Sequence, residues 1–203
     1  MNPIVKICGV TRAEDAALAV SVGADWIGIN FHSGSPRFVD IGRAHEIVST
    51  IGRRAKVVGV FVNTPRAEID RVYREVGLDL LQLSGDEDDS SLSGWPIPVI
   101  RALRLRPHAL PDVRSSRADF VLLDSWDPKK FGGTGQTLIL DRLRGIDLSR
   151  AIIAGGLGPH NVAAAAALRP YGVDVASGVE SAPGIKDCDK MRSFVVNAKS
   201  VRP

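Results

Sequence analysis

Two stretches of this 203-residue sequence place a chemically active side chain at the end of an apolar run. Cys8 closes "IVKIC" (4–8), and Asp124 closes "FVLLD" (120–124). A thiolate can accept a proton and a carboxylic acid can donate one, so the pair could supply a general base and a general acid. Both residue types also have structural uses, because a free cysteine often fills a core and an aspartate often caps a helix. Spacing alone leaves both interpretations open.

Other residues in the sequence could bind anions. A long connection, "SWDPKKFGGTGQT" (125–137), separates Asp124 from the next helical pattern. The glycines of its "FGGTG" segment (131–135) would let backbone amides approach an anion. Arg37, in "SPR", carries a planar guanidinium that suits a carboxylate, although most arginines are simply solvated.

The elements that must position these residues alternate along the whole chain. Apolar, β-branched runs predict eight strands, at 4–8, 26–31, 56–62, 78–84, 98–105, 120–124, 151–155 and 173–178. A capping box at Thr11 and Glu14 predicts the first helix, and further helical patterns cover 42–51, 65–76, 137–146, 161–169 and 187–199. The segments 87–94 and 107–116 predict short or irregular turns.

The repeat length selects the architecture. From Cys8 to Gly178 one unit takes roughly 24 residues, whereas an open doubly wound sheet normally has about five or six strands. We therefore predict an α/β fold, a single-domain (β/α)8 TIM barrel over residues 1–203. Active sites of such barrels lie where the strands end, so the residues above would meet at one face.

The barrel adds two expectations. Lys6 shares a strand face with Cys8 and would therefore lie inside the barrel. A buried ammonium needs a carboxylate partner, and Asp174 on the neighbouring last strand is the candidate. The charge of Lys6 would favour the thiolate form of Cys8. The loops "AGGLGPHN" (154–161) and "ASGVESAPG" (176–184) follow strands seven and eight, where many barrels bind a phosphate.

Bulk properties exclude several classes of protein. The net charge is +3, and no basic run is interleaved with aromatic residues, so we expect no nucleic-acid partner. No apolar stretch approaches the ~20 residues that span a bilayer, and no signal peptide is visible. Two distant cysteines favour a reducing cytoplasm, and the four histidines show no metal-ligand spacing.

Seven segments, taken together and in order, resemble phosphoribosylanthranilate isomerase of tryptophan biosynthesis. They are "KICGVTRAEDA", "GADWIGINF…SPR", "VGVFVN", "GLDLLQLSGDE", "LLDS…GGTG", "AGGLGPHNV" and "VDVASGVESAPGIKD". The resemblance covers essentially the whole chain. It implies a (β/α)8 barrel that isomerises N-(5′-phosphoribosyl)anthranilate by an Amadori rearrangement, without cofactor or metal.

The resemblance also assigns residues. It implies that Cys8 is the general base, that Asp124 is the general acid and that Arg37 holds the anthranilate carboxylate. The backbone of the Gly155–Gly156 and Ser177–Gly178 loops would hold the phosphate of this small-molecule substrate. Two positions depart from the family pattern: Ser84 stands where histidine is common, and Leu138 where an aromatic residue is common. We expect Ser84 to support orientation and not proton transfer.

Two alternatives stay open on sequence alone. One is another phosphosugar isomerase, of the histidine-pathway type or with dual specificity, although such barrels use two aspartates and this chain has Cys8 at the end of the first strand. The other is a phosphate-binding barrel that has lost catalysis. The chain could be a monomer or a homodimer.

Overall fold

The computed structural model describes residues 2–105, 113–125 and 140–201. Eight parallel strands close into a barrel in which each strand pairs with the next along the chain and the eighth returns to the first. These are β1 (Ile4–Cys8), β2 (Trp26–Asn30), β3 (Lys56–Phe61), β4 (Leu80–Leu83), β5 (Val99–Leu105), β6 (Phe120–Ser125), β7 (Ala151–Ile153) and β8 (Gly172–Val175). The predicted barrel is confirmed, and every predicted strand overlaps an observed one.

Helices cover the outside of the barrel. In the ranges that the structure describes they are α1 (Ala13–Ser21), α2 (Ile41–Ile51), α3 (Arg66–Val76), α4 (Val162–Ala166) and α5 (Cys188–Lys199), with 3-10 turns at Asp89–Leu92, Leu140–Leu143 and Ser177–Val179. The helix predicted over 137–146 is wrong where the structure describes it. Leu140–Leu143 form a 3-10 turn there, and Gly145 has a φ of 79°, which does not continue a helix. The helix predicted over 161–169 stops early, before Pro170, as expected of the residues preceding a proline.

The predicted capping box is also wrong. Helix α1 begins at Ala13 with Arg12 as its N-cap, and no side chain caps it. The Thr11 hydroxyl instead donates to the carbonyl oxygen of Gly184 at 2.6 Å. Gly184 turns a hairpin of two short strands, β9 (Glu180–Ala182) and β10 (Ile185–Lys186), which the sequence did not predict. The hydroxyl therefore ties the loop after β1 to the hairpin after β8.

Alternate residues of each strand point into the barrel, and the register aligns them from strand to strand. Trp26 and Asp174 both lie opposite Lys6, on either side of β1. The interior of the barrel near the starts of the strands is apolar. The rings of Trp26, Phe120 and Tyr171 close it, with centroids 4.5–5.9 Å apart. The outer faces of the strands pack on the helices. The cavity that opens inside the barrel lies at the other end, where the strands finish.

Three aspartates stabilise the opposite end of the barrel, where the strands begin. Each directly precedes an even-numbered strand, and its carboxylate accepts a backbone N–H of the preceding strand at 2.8 Å: Asp25 from Val5, Asp79 from Val57 and Asp119 from Val99. Buried strand amides that lack a ladder partner need such acceptors. These carboxylates are structural.

Candidate active site

A cavity of about 390 Å³ opens where the strands end. Its floor and walls consist mainly of the inward-facing residues at the ends of the strands, and the loop after β2 closes one side. The lining includes Cys8, Asn30, Arg37, Val60, Gln82, Ser84, Ala102, Arg104, Leu122, Asp124, Asp174 and Ala176. The two predicted proton-transfer residues therefore share one cavity. Cys8 lies half-buried at the end of β1, and Asp124 is 9% exposed on β6.

The predicted ion pair beneath Cys8 is confirmed. Lys6 is completely buried, and its Nζ lies 2.7 Å from Oδ1 of Asp174. Burial alone would lower the pKa of Lys6, but the negative charge of Asp174 and the adjacent Cys8 outweigh it and raise that pKa. The ammonium therefore stays charged beneath the thiol.

Two opposing effects act on the thiol of Cys8, and the expected lowering of its pKa by Lys6 is one of them. Burial raises the pKa of its thiol, and the cations Lys6 and Lys186 lower that pKa only in part, while Asp174 opposes them. The net result is a raised pKa, because desolvation of the thiolate outweighs the stabilisation that the neighbouring cations give it. Space around the thiol is tight, because a Cβ added at Gly28 would lie 2.8 Å from Sγ of Cys8. Glycine at that register position leaves room for the sulfur.

Arg37 is held in place by a residue that the sequence analysis missed. Its Nε and Nη2 donate to the two carboxylate oxygens of Glu180 at 2.8 and 2.7 Å. Lys186 also donates to Glu180, at 2.8 Å, and to the carbonyl oxygens of Cys8 and Ala176 at 2.7 and 3.0 Å. Burial would raise the pKa of Glu180, but these donors lower it below its ordinary value. Two cations thus share one carboxylate at the cavity wall.

A smaller cavity of about 40 Å³ lies between the ends of β7 and β8. Gly155, Gly156 and Ser177 line it, and it shares Asp124 and Asp174 with the large cavity. The two glycines have φ of 80° and 65°, a conformation that other residues rarely adopt.

Gly178 follows Ser177 in the loop after β8 and packs closely on the loop after β7. A Cβ at this position would lie 1.9 Å from the carbonyl oxygen of Leu157, so glycine allows the loops after β7 and β8 to touch. The structure brings these two loops together as predicted, although Gly178 itself lines neither cavity described above.

Two further polar residues face the large cavity from β4 and β5. Gln82 donates from Nε2 to Oγ of Ser84 at 3.0 Å, and Arg104 donates to Oδ1 of Asp86 at 2.6 Å. The sequence could have singled out Gln82, since it is a lone polar residue at an inward position of an apolar strand. No comparable signal marks Glu180 or Lys186, because their hairpin has no strong strand pattern.

Some predicted features lie outside the described residues, namely "FGGTG" (131–135), Leu138 and most of segment 107–116. Within the described ranges, no three His, Cys, Asp or Glu side chains are grouped so that they could hold a metal ion. No helix in those ranges is both long and apolar enough to cross a bilayer.

Comparison with known proteins gives a consistent result. A family model described as N-(5′phosphoribosyl)anthranilate (PRA) isomerase matches residues 5–197. The N-(5′-phosphoribosyl)anthranilate isomerase of Pelobacter propionicus is 44% identical over 201 residues, which are 98% of this chain and 96% of that protein. The phosphoribosyl anthranilate isomerase structure from Thermus thermophilus has a TM-score of 0.89 at 37% identity, covering 98% of this chain and 100% of that one.

A second structure shows a ligand in such a barrel. It is a phosphoribosyl anthranilate isomerase in complex with reduced 1-(o-carboxyphenylamino)-1-deoxyribulose 5-phosphate. It has a TM-score of 0.77 at 34% identity and covers 98% of this chain and 99% of that one.

Proposed function

Because the chain belongs to the N-(5′-phosphoribosyl)anthranilate isomerase family, we propose a role in that reaction for each group in its cavity. The chain is an isomerase of tryptophan biosynthesis that converts N-(5′-phosphoribosyl)anthranilate to 1-(2-carboxyphenylamino)-1-deoxyribulose 5-phosphate by an Amadori rearrangement. One observation carries the assignment of roles: Cys8 and Asp124 line a single cavity, with an arginine on one wall and the glycine loops beside it.

Asp124 is the general acid of the first step. Its carboxyl proton passes to the ring oxygen of the ribose, and the bond between that oxygen and C1 breaks. The lone pair of the anthranilate nitrogen forms a double bond to C1, which leaves an iminium cation. The position of Asp124, shared by the large and the small cavity, supports this role because the ribose must lie between its phosphate and its anthranilate ring.

Cys8 is the general base of the second step. Its sulfur takes the proton from C2, and the C–H electron pair forms the C1–C2 double bond while the iminium nitrogen regains its lone pair. The resulting enolamine tautomerises to the ketone. Lys6, beneath the sulfur, stabilises the thiolate electrostatically while it is present. A base needs one atom with a lone pair and the acid one proton, so two residues on separate strands suffice.

The phosphate subsite is the small cavity. Backbone N–H groups of the Gly155–Gly156 and Ser177–Gly178 loops can converge there, since these glycines allow positive φ or close loop contact. Loops after strands seven and eight serve this purpose in many barrels. Anchoring the phosphate here directs the sugar chain across the large cavity.

Arg37 holds the carboxylate of the anthranilate ring. One edge of its guanidinium is bound to Glu180, and the other edge, Nη1 with the remaining Nη2 hydrogen, is geometrically suited to a second carboxylate. Glu180 fixes the orientation of that edge. Because Lys186 shares Glu180, the group of three carries one excess positive charge, which favours an anionic ligand.

We predict that Arg37→Gln lowers kcat/KM for N-(5′-phosphoribosyl)anthranilate by about 10²-fold, because a buried charge-assisted contact is lost. With N-(5′-phosphoribosyl)aniline, which lacks the carboxylate, wild type and variant should differ by less than about threefold. Arg43→Gln, at an exposed arginine on α2, is the matched control and should behave as wild type with both substrates. An equal loss with both substrates would place Arg37 in a structural role.

The assignment of function is tested by loss of anthranilate-type fluorescence when the purified chain meets N-(5′-phosphoribosyl)anthranilate. We expect turnover of this substrate and none of the histidine-pathway aminoaldose. Turnover of both would indicate dual specificity. Absence of turnover in a folded protein that still binds phosphate ligands would favour the non-catalytic barrel.

We propose that the chain forms one domain over residues 1–203, acts in the cytoplasm, needs no nucleic-acid partner and works without cofactor or metal. We keep both a monomer and a homodimer as predicted states.

A further inference from the structure

Gln82 has an unused polar atom inside the active-site cavity. Its side chain is on β4, only 5% of the residue is exposed, and it lines the cavity. Among the residues that the structure describes, its Oε1 is the one buried side-chain nitrogen or oxygen with no hydrogen-bond partner. A buried carbonyl oxygen without a partner destabilises a folded protein, so such an atom calls for an explanation.

The rest of the amide is fixed. Nε2 donates to Oγ of Ser84, two residues further along the same inward face of β4. Gln82 pairs in register with Val60 and Ile100, so its neighbours at that level of β3 and β5 are apolar. The amide of Gln82 thus lies two residues deeper in the barrel than Ser84, between apolar neighbours. Its Nε2 is directed at Ser84, and its Oε1 is directed away from Ser84.

The chemistry of Oε1 limits what can bind it. An amide oxygen accepts hydrogen bonds and cannot donate them, so it would repel a phosphate or a carboxylate. The anthranilate N–H is ortho to the carboxylate of the same ring and donates an intramolecular hydrogen bond to it. The remaining donors of the substrate are the hydroxyl groups of the sugar.

The position of Gln82 leads to the same groups. Gln82 lines the same cavity as Cys8 and Asp124, so its side chain faces the space in which the sugar carbons react. The sugar chain of a bound substrate must therefore lie within the cavity that Gln82 lines. Gln82 contributes to that cavity a buried acceptor that no described side chain uses.

We propose that Gln82 is a substrate-binding residue whose Oε1 accepts a hydrogen bond from a hydroxyl of the sugar chain, with Ser84 fixing the amide. The inference rests on the proposed function. It gives Ser84 a use that needs no imidazole: its oxygen accepts from Nε2 and sets which end of the amide faces the sugar.

The test compares two ligands that differ only in hydroxyl groups. One is reduced 1-(o-carboxyphenylamino)-1-deoxyribulose 5-phosphate; the other is N-(5-phosphonooxypentyl)anthranilate, with the same ring, chain length and phosphate. Gln82→Met keeps the volume and removes the amide. We expect it to weaken binding of the reduced product by at least ~10-fold and to change that of the pentyl compound by less than ~2-fold, measured by calorimetry.

Two variants make the comparison decisive. Leu80→Met introduces the same residue on β4, below the cavity and outside both cavity linings, and should leave both dissociation constants unchanged. Ser84→Ala retains Oε1 but frees the amide, so it should weaken only the reduced product, and by less than Gln82→Met does. Equal losses for both ligands in Gln82→Met, or no loss for either, would overturn the proposal. Failure of the wild type to bind either ligand would instead count against the proposed function.

Discussion

Asp124→Asn should lower kcat by about 10²–10⁴-fold, because asparagine cannot give a proton to the ring oxygen and ring opening would depend on water. The substitution keeps the size of the side chain, so KM should change little. Stopped-flow or steady-state loss of anthranilate fluorescence measures the effect. Recovery of activity with a substrate analogue whose ring is already open would show that the loss lies in the first step.

Asp119→Asn is a matched control at the opposite end of the same strand. Its carboxylate accepts the amide of Val99 at 2.8 Å and lies far from the cavity lining. We expect a lower melting temperature with kcat unchanged. An Asp124→Asn variant that retained more than about a tenth of wild-type kcat would exclude Asp124 as the general acid.

Cys8→Ala should reduce kcat by a similar factor, about 10²–10⁴-fold, since the base that removes the C2 proton is absent. The pH dependence gives a second, independent readout. A base must be deprotonated to act, and burial raises the pKa of Cys8 above its ordinary value. Activity should therefore increase with pH through the alkaline range and fall as pH decreases through that raised pKa.

Lys6 determines where this increase occurs. Its charge lowers the pKa of Cys8, so Lys6→Met should move the rise in kcat/KM to still higher pH. Asp174 would then lack its partner, and a melting curve must accompany the kinetics. Cys188→Ala, at the start of α5, should leave the profile as in wild type. A flat wild-type profile between about pH 7 and 10 would contradict Cys8 as the base.

The two aspartate sets in this barrel illustrate how position decides the use of a residue. Asp79 and Asp119 precede strands and satisfy backbone amides, whereas Asp124 and Asp174 lie toward strand ends and face the cavity. The direction of a parallel strand separates the two sets. All carboxylates at the starts of the strands lie at one end of the barrel and those at strand ends at the other, so stability and chemistry occupy opposite faces.

Much of this arrangement follows from the sequence alone. The alternation of apolar runs and connecting segments predicts eight parallel strands, and the period of two along β1 places Lys6 beneath Cys8. Closure of the barrel then makes Asp174 a neighbour of Lys6, as the 2.7 Å ion pair confirms. These inferences succeed because the alternation of side chains along a strand is a local rule and because eight repeats of strand and connection predict a closed parallel barrel.

Only the tertiary structure determined the rest. Glu180 and Lys186 reach Arg37 and the Cys8 carbonyl from a hairpin more than 140 residues away in the chain, so no local pattern marks them. Thr11 bonds to Gly184 instead of capping a helix, because a loop contact replaces the local one. The pKa of Cys8 depends on how burial balances two cations and a carboxylate, and that balance is set by three-dimensional distances that residue order does not specify.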